Sequence, residues 1–123
     1  MAKTFPNLVL NNLEEFDFIG GQDEVLTFEV YSGSGVSASP TDLSGCTLSW
    51  VAAPYGNPQY AILNIAGVSS GSYPGNIFTV TITGSSTANL SGRYTQQPII
   101  IDISGQEFRP GQGSFIINSK IGA

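Results

Sequence analysis

The stretch Asn76–Tyr94 reads NIFTVTITGSSTANLSGRY, and the fold can be worked out from it. Its first part, Ile77–Ile82, is rich in β-branched and aromatic residues, alternates in part, and therefore predicts a strand. The polar run Thr83–Ser86 predicts a turn, and Arg93–Tyr94 begins a return strand. Between turn and return strand we expect a bent corner that holds a buried Leu90 and lets the tyrosine reach back to the backbone. Corners of this kind close β-sandwiches.

The rest of the chain repeats the alternation of short strands and turns. Turn signals recur every ~8–12 residues and no helix-period segment of useful length occurs, which is the all-β pattern. In the strand predicted at 24–31, Leu26, Phe28 and Val30 share the inward face. Pro98 is expected to force a bulge or an edge position in its strand. The other strands are predicted at 46–53, 59–65, 93–104 and 114–118.

Charged residues are few for 123 residues. They make up 11% of the chain, and the net charge is −5. The basic residues are Lys3, Arg93, Arg109 and Lys120. Nucleic-acid binding needs clustered Lys and Arg against phosphates, and an anionic membrane surface needs them too, so we expect neither partner. No apolar run approaches the ~20 residues of a membrane span.

The residue types that serve most nucleophilic catalysis are missing. The chain has no histidine, so Ser-His and Cys-His pairs and His-containing zinc sites are excluded. Its one cysteine, Cys46, cannot form an internal disulfide, and we expect it to be a buried structural thiol. No two carboxylates stand in a motif that would place them across a cleft. We therefore expect no enzyme and no cofactor.

One metal site is conceivable from composition. Asp17, Asp23 and Glu24 could offer a calcium ion carboxylates near loop carbonyls, although their spacing matches no EF-hand loop. We predict no metal site of recognised type.

The N-terminal segment has two interpretations. Residues 1–13 form either the first edge strand or an extended arm that adds to the sheet edge of a neighbouring subunit, with residues 14–123 as a single sandwich domain. The candidate partner-binding residues are Phe5, Leu8, Val9 and Leu10 in this segment and Val36 in the Gly- and Ser-rich loop 32–41.

Tyrosines in predicted loops raise a second possibility for function. Tyr55 and Tyr73 lie in such loops, where binding residues tend to gather. They could build a sugar-stacking surface, or each could simply cover its own turn. Trp50 is predicted to be core.

The order of the motifs resembles a known group of domains. Gly21-Gln22-Asp23 precedes an early strand, and Thr41–Gly45 forms a D-L-S-G turn before the next. Ser86–Tyr94 and the closing Gly113–Ile117 follow, the latter as Gly-x-Phe-x-Ile. The series, over about Phe18 to Asn118, is similar to the immunoglobulin-like β-sandwich domains of tailed-bacteriophage structural proteins, such as the N-terminal domain of baseplate upper proteins. It departs from them at Gln22, where family members usually have a more acidic turn.

This resemblance implies an immunoglobulin-like β-sandwich of about seven or eight antiparallel strands and a structural role without catalysis. The expected function is that of a virion protein (capsid decoration, head-fibre base or tail and baseplate accessory), located in the particle and assembled in the host bacterial cytoplasm. Its partners would be other virion proteins, in a homo-oligomer. The alternative function is a carbohydrate-binding module.

Overall fold

The computed structural model describes residues 8–10, 13–32, 39–69 and 75–119. Eleven strand segments and one helical turn follow one another in this part of the chain, and seven of the strands have four or more residues. In chain order they are β1 (Leu8–Leu10), β2 (Phe16–Ile19), β3 (Glu24–Ser32), β4 (Ser39–Pro40), β5 (Thr47–Pro54), β6 (Leu63–Ala66), β7 (Val68–Ser69), β8 (Ile77–Ile82), α1 (Gly84–Thr87), β9 (Gly92–Ile101), β10 (Glu107–Phe108) and β11 (Gly113–Asn118). No helix in these ranges is long and apolar enough to cross a membrane.

The strands form two sheets. One has the order β1-β3-β8-β7 with β4 on β3, and the other has the order β2-β11-β9-β5-β6 with β10 on β9. All pairs are antiparallel except β2 with β11. The first order is that of strands A, B, E and D of an immunoglobulin domain, and β5, β9 and β11 take the places of C, F and G. The protein is an immunoglobulin-like β-sandwich, which confirms the predicted fold class.

The core lies between the sheets and follows the alternation of the strands. Leu26, Phe28 and Val30 of β3 are buried as predicted, and Trp50 on β5 is fully buried. Phe115 on β11 is the centre of an aromatic cluster. Its ring centroid lies 5.2 Å from that of Phe16, 5.7 Å from that of Trp50 and 5.6 Å from that of Tyr94. Trp50 is thus core, as expected.

The corner between β8 and β9 has the predicted tyrosine contact. The hydroxyl of Tyr94 donates to the carbonyl of Ser91 at 2.9 Å, and Leu90 is half-buried against the core. The predicted polar turn is the single helical turn α1. Its first residue must be glycine, because a Cβ on Gly84 would overlap the carbonyl oxygen of Gly21.

Two strand boundaries differ from the predicted ones by more than one residue. The strand predicted at 59–65 begins only at Leu63, because successive turns carry the chain as far as Tyr60, whose N–H bonds to the carbonyl of Asn57 at 3.1 Å. The strand predicted at 93–104 ends at Ile101. Asp102 ends it by accepting the backbone N–H groups of Ser104 (3.0 Å) and Gln106 (2.9 Å) on one carboxylate oxygen.

Pro98 lies in the middle of the long strand β9 without costing a ladder hydrogen bond. Tyr55 N–H bonds to the carbonyl of Arg93, so the odd-numbered residues of β9 direct their backbone N–H and C=O groups toward β5. Pro98 is even-numbered, so its backbone nitrogen points away from β5. On that side β11 stops pairing at Gln96 and β10 starts at Ile100. The expectation of an edge-like position therefore holds locally, in the gap between two short neighbours.

Candidate functional site

The predicted partner-binding segment is an edge strand of its own sheet. Leu8, Val9 and Leu10 form β1 and pair with β3 of the same chain. No described strand pairs with the other side of β1. The structure thus has the simpler of the two arrangements, and pairing with a neighbouring subunit stays a prediction. Phe5 and Val36 lie outside the described residues.

Of the two predicted sugar-stacking tyrosines, Tyr73 also lies outside the described residues, and Tyr55 is on the surface. Tyr55 follows β5 directly, and 57% of its surface is exposed. Its ring is in contact with Arg93, whose guanidinium carbon lies 4.3 Å from the ring centroid. This is a cation–π pair, and it covers one face of the ring.

Two further polar side chains, Glu15 and Ser114, contact this pair. Arg93 on β9 forms an ion pair of 3.1 Å with Glu15, just before β2. Ser114 on β11 donates to the same carboxylate oxygen of Glu15 at 2.9 Å. Glu15, Tyr55, Arg93 and Ser114 together are called the Tyr55–Arg93 cluster below. Glu15 and Ser114 both contact Nη2 of Arg93, and this holds the guanidinium over the exposed ring of Tyr55.

The cluster borders a shallow groove on the outer face of the six-stranded sheet. The groove has a volume of about 280 Å³, and Thr95, Gln112 and Gly113 complete its lining. Thr95 and Gln112 also line a smaller depression of about 40 Å³ that continues toward Val51 and Pro58. The two depressions share Thr95 and Gln112 and are therefore continuous on this face.

A second arginine lies on the same face. Arg109 donates to the side-chain oxygen of Gln97 at 2.7 Å and bonds to Glu107. Both arginines of the described residues are therefore paired with a glutamate here, with about half of each side chain exposed. Exposed pairs of this kind add little stability, up to about 1 kcal/mol each.

The conceivable calcium site is not assembled. Asp23 accepts the backbone N–H of Gly84 at 2.7 Å, and Asp17 accepts a weak bond of 3.5 Å from the amide of Asn118. Asp23 thereby ties the loop after β2 to α1. Within the described ranges, no three His, Cys, Asp or Glu side chains lie close enough to hold a metal ion.

Cys46 is half-buried just before β5 and packs against the core. Burial raises the pKa of its thiol, and the negative charges of Asp102 and Asp42 raise it further. A raised pKa keeps the thiol protonated near neutral pH, which suits a structural role and not a nucleophile.

Sequence reasoning found Tyr55 but missed its neighbours. Glu15, Arg93 and Ser114 are far apart in the sequence, and they come together because β9 pairs with β5 and β11 and because β11 pairs with β2. The sequence contained a partial signal for Arg93. Basic residues are few in this chain, and Arg93 lies at an outward-facing position of β9.

No protein-family model and no curated protein matches this chain. Solved structures that it resembles include CopC from Methylosinus trichosporium OB3b, with a TM-score of 0.48 and 9% sequence identity over 94% of this chain and 98% of that chain. Another is murine CRIg, with a TM-score of 0.44 and 10% identity over 92% of this chain and 98% of that chain.

Proposed function

We propose that this chain is a structural protein of a tailed-bacteriophage particle that binds other particle proteins and catalyses no reaction. The Tyr55–Arg93 cluster is the observation that supports this most. Tyrosine and arginine are the residue types that dominate binding energy at protein interfaces, and they do so when their positions are fixed before binding. Here Glu15 and Ser114 fix Arg93 at 3.1 and 3.5 Å.

The shape of the face favours a protein partner over a small molecule. Sites for small molecules are concave, enclose most of the ligand and have volumes of about 300–1,000 Å³. The groove beside the cluster is shallow, and its lining is distributed over the ends of β5, β9 and β11. A broad, polar, nearly flat face with one aromatic anchor matches the anatomy of a protein interface.

The edge strand β1 supports a second contact of the same kind. The outer side of β1 offers backbone groups to which a neighbour's strand can add. The role in a particle, and not merely in some complex, rests on the order of sequence motifs from Phe18 to Asn118 that resembles phage structural domains.

A carbohydrate-binding module is the second candidate, favoured by the exposure of Tyr55 beside a groove lined with hydroxyl and amide groups. Sugars stack on a free aromatic face, and Arg93 already occupies one face of Tyr55. Only the opposite face is left for a sugar ring.

The two candidates are separated by variants supplied in trans during particle assembly. Tyr55→Ala and Arg93→Ala should fold but incorporate poorly, and a chain lacking residues 1–13 should remain folded but should not be incorporated. Ile103→Ala is the matched control, because Ile103 is 76% exposed in the loop after β9. Failure of the unaltered chain to enter particles contradicts the proposal. Normal incorporation of all three altered chains shows that neither the Tyr55–Arg93 cluster nor residues 1–13 carries the contact. Glycan-array binding that Tyr55→Ala abolishes, with incorporation intact, would establish the carbohydrate module instead, and an array without hits eliminates it.

A further inference from the structure

One flank of the sandwich is built entirely from uncharged residues. No Asp, Glu, Lys or Arg occurs in residues 43–92, which include β5, β6, β7 and β8. In the described part, all charged side chains therefore come from the segments before and after this stretch. Because this uncharged stretch forms β5, β6, β7 and β8, the folded protein has one flank without charged side chains.

The edge of that flank is a single segment that serves both sheets. β6 is the last strand of the six-stranded sheet and β7 the last of the other sheet, and only Gly67 separates them. A Cβ on Gly67 would lie 2.9 Å from the ring of Phe78 and 3.0 Å from Cβ of Leu48. The close packing at Gly67 holds the segment tightly against the core, so the flank is a fixed surface.

The backbone of β6 has its outer side open. The N–H of Gly67 bonds to the carbonyl of Leu48 at 2.8 Å, and with the β5–β6 register this turns Ile65 and Leu63 toward β5. The N–H and C=O groups of Asn64 and Ala66 consequently point away from β5. No described strand pairs with that side.

The side chains along this segment are apolar or neutral at its exposed positions. Tyr60 is 63% exposed, Ile62 41% and Val68 65%, and Asn64 and Ala66 between them are also exposed. Edge strands of monomeric proteins are usually protected by charged side chains or proline, because open edges pair with other chains. Between Tyr60 and Val68 neither occurs.

The opposite edge of the same sheet shows the usual protection. That edge is β2, which carries Asp17 and follows directly after Glu14 and Glu15. All three residues are exposed. One edge of the sheet thus carries three carboxylates and the other none, which indicates that only the β6 edge is open to pairing.

We propose that β6 pairs antiparallel with β6 of a second copy of this chain, joining two six-stranded sheets into one continuous sheet. A two-fold axis between two identical edge strands makes them antiparallel, as an isologous dimer requires. Tyr60, Ile62 and Val68 would then cover one another at the two ends of the new strand pair.

The charge distribution favours a second copy over another partner. The chain carries a net charge of −5, so two copies repel each other wherever their acidic segments approach. Contact through residues 60–68 places the charged segments of both copies away from the interface. This interface lies apart from β1 and from the Tyr55–Arg93 cluster, and it is independent of the proposed role in a particle.

The test is the oligomeric state of the isolated chain, measured by sedimentation velocity and native mass spectrometry. We expect a dimer, and we expect Asn64→Pro and Ala66→Lys each to raise the dissociation constant at least about tenfold. Asn64→Pro removes an N–H that β5 does not use, and Ala66→Lys adds the missing edge charge. Circular dichroism verifies that both variants fold. If Asn64→Pro does not fold, the dissociation constant of Ala66→Lys alone is the test.

Val25→Lys is the matched control, because it adds the same charge at a 58% exposed valine on the outer face of the other sheet. It should leave the dimer intact. A wild-type chain that is monomeric up to about 1 mM overturns the proposal. A wild-type dimer that both edge variants preserve also overturns it, because the interface must then lie elsewhere.

Discussion

Trp50 donates its indole N–H to the side-chain oxygen of Gln96 at 2.8 Å, between two fully buried side chains in the centre of the sandwich. Gln96 stands two residues after Tyr94, which is the place of the second cysteine of the inter-sheet disulfide in antibody domains. With Cys46 as its only cysteine, this chain has no internal disulfide. A buried hydrogen bond stands near the position where those domains have a covalent link.

Removing either partner of this bond should destabilise the protein. Trp50→Phe leaves the oxygen of Gln96 without its donor, and Gln96→Met leaves the indole N–H without its acceptor. Each should lower the free energy of unfolding by about 1–3 kcal/mol, the cost of a buried unsatisfied group. Urea unfolding followed by circular dichroism measures both.

The double variant distinguishes the bond from simple packing. If the bond carries the effect, Trp50→Phe with Gln96→Met should be less destabilising than the sum of the single changes, since no polar group is then left unpaired between them. Strict additivity contradicts this interpretation.

The contact of Tyr94 at the corner should add to the free energy of unfolding as much as one hydrogen bond usually does. Tyr94→Phe keeps the ring packed against Phe115 and removes only the hydroxyl that donates to Ser91. We expect a loss of about 0.5–1.5 kcal/mol in the free energy of unfolding. Tyr55→Phe, at a 57% exposed ring away from the β6 edge, is the control and should leave the free energy of unfolding unchanged. Equal stability of Tyr94→Phe and wild type would mean that the corner needs only the ring.

Much of this fold was predictable because it depends on local patterns. The strand Ile77–Ile82 has the predicted bounds, and the inward face of β3 follows from its alternation. The contact of Tyr94 depends on a residue only three positions earlier. Where a pattern is complete within a few residues, the sequence alone was sufficient.

The sequence did not reveal features that depend on pairing between distant segments. The parallel pairing of β2 with β11 joins residues about a hundred positions apart, and nothing in Phe16–Ile19 signals it. The Tyr55–Arg93 cluster arises in the same way. Burial of Gln96 could have been predicted, because Gln96 lies two residues after the inward-facing Tyr94 in β9. An amide side chain in a strand is, however, usually assigned to the surface.

Gly84 should tolerate no side chain. A Cβ there meets the carbonyl oxygen of Gly21, and the same turn is held by the bond from Gly84 N–H to Asp23 at 2.7 Å. Gly84→Ala should therefore destabilise by about 1–3 kcal/mol through overpacking, measured by thermal or urea unfolding. The neighbouring Ser85→Ala, at an exposed position, should be nearly neutral. A neutral Gly84→Ala would show that the loop after β2 shifts freely.

Cys46 should react slowly and only at high pH. Because burial and nearby carboxylates raise the pKa of its thiol, the pH midpoint of iodoacetamide labelling should lie above that of the urea-unfolded chain. The unfolded chain then loses its thiol proton first, so this group lowers stability as pH rises past the ordinary thiol pKa. A folded-state midpoint at or below the unfolded one contradicts this.

Quantitative mass spectrometry of purified phage particles from the source culture tests the central claim most directly. We predict that this chain is present at a fixed stoichiometric ratio to a major capsid or tail protein, and the ratio itself would separate shell decoration from a tail or vertex ring. If the chain is abundant in the lysate but absent from the particles, the structural role is wrong and the carbohydrate-binding function becomes the leading one.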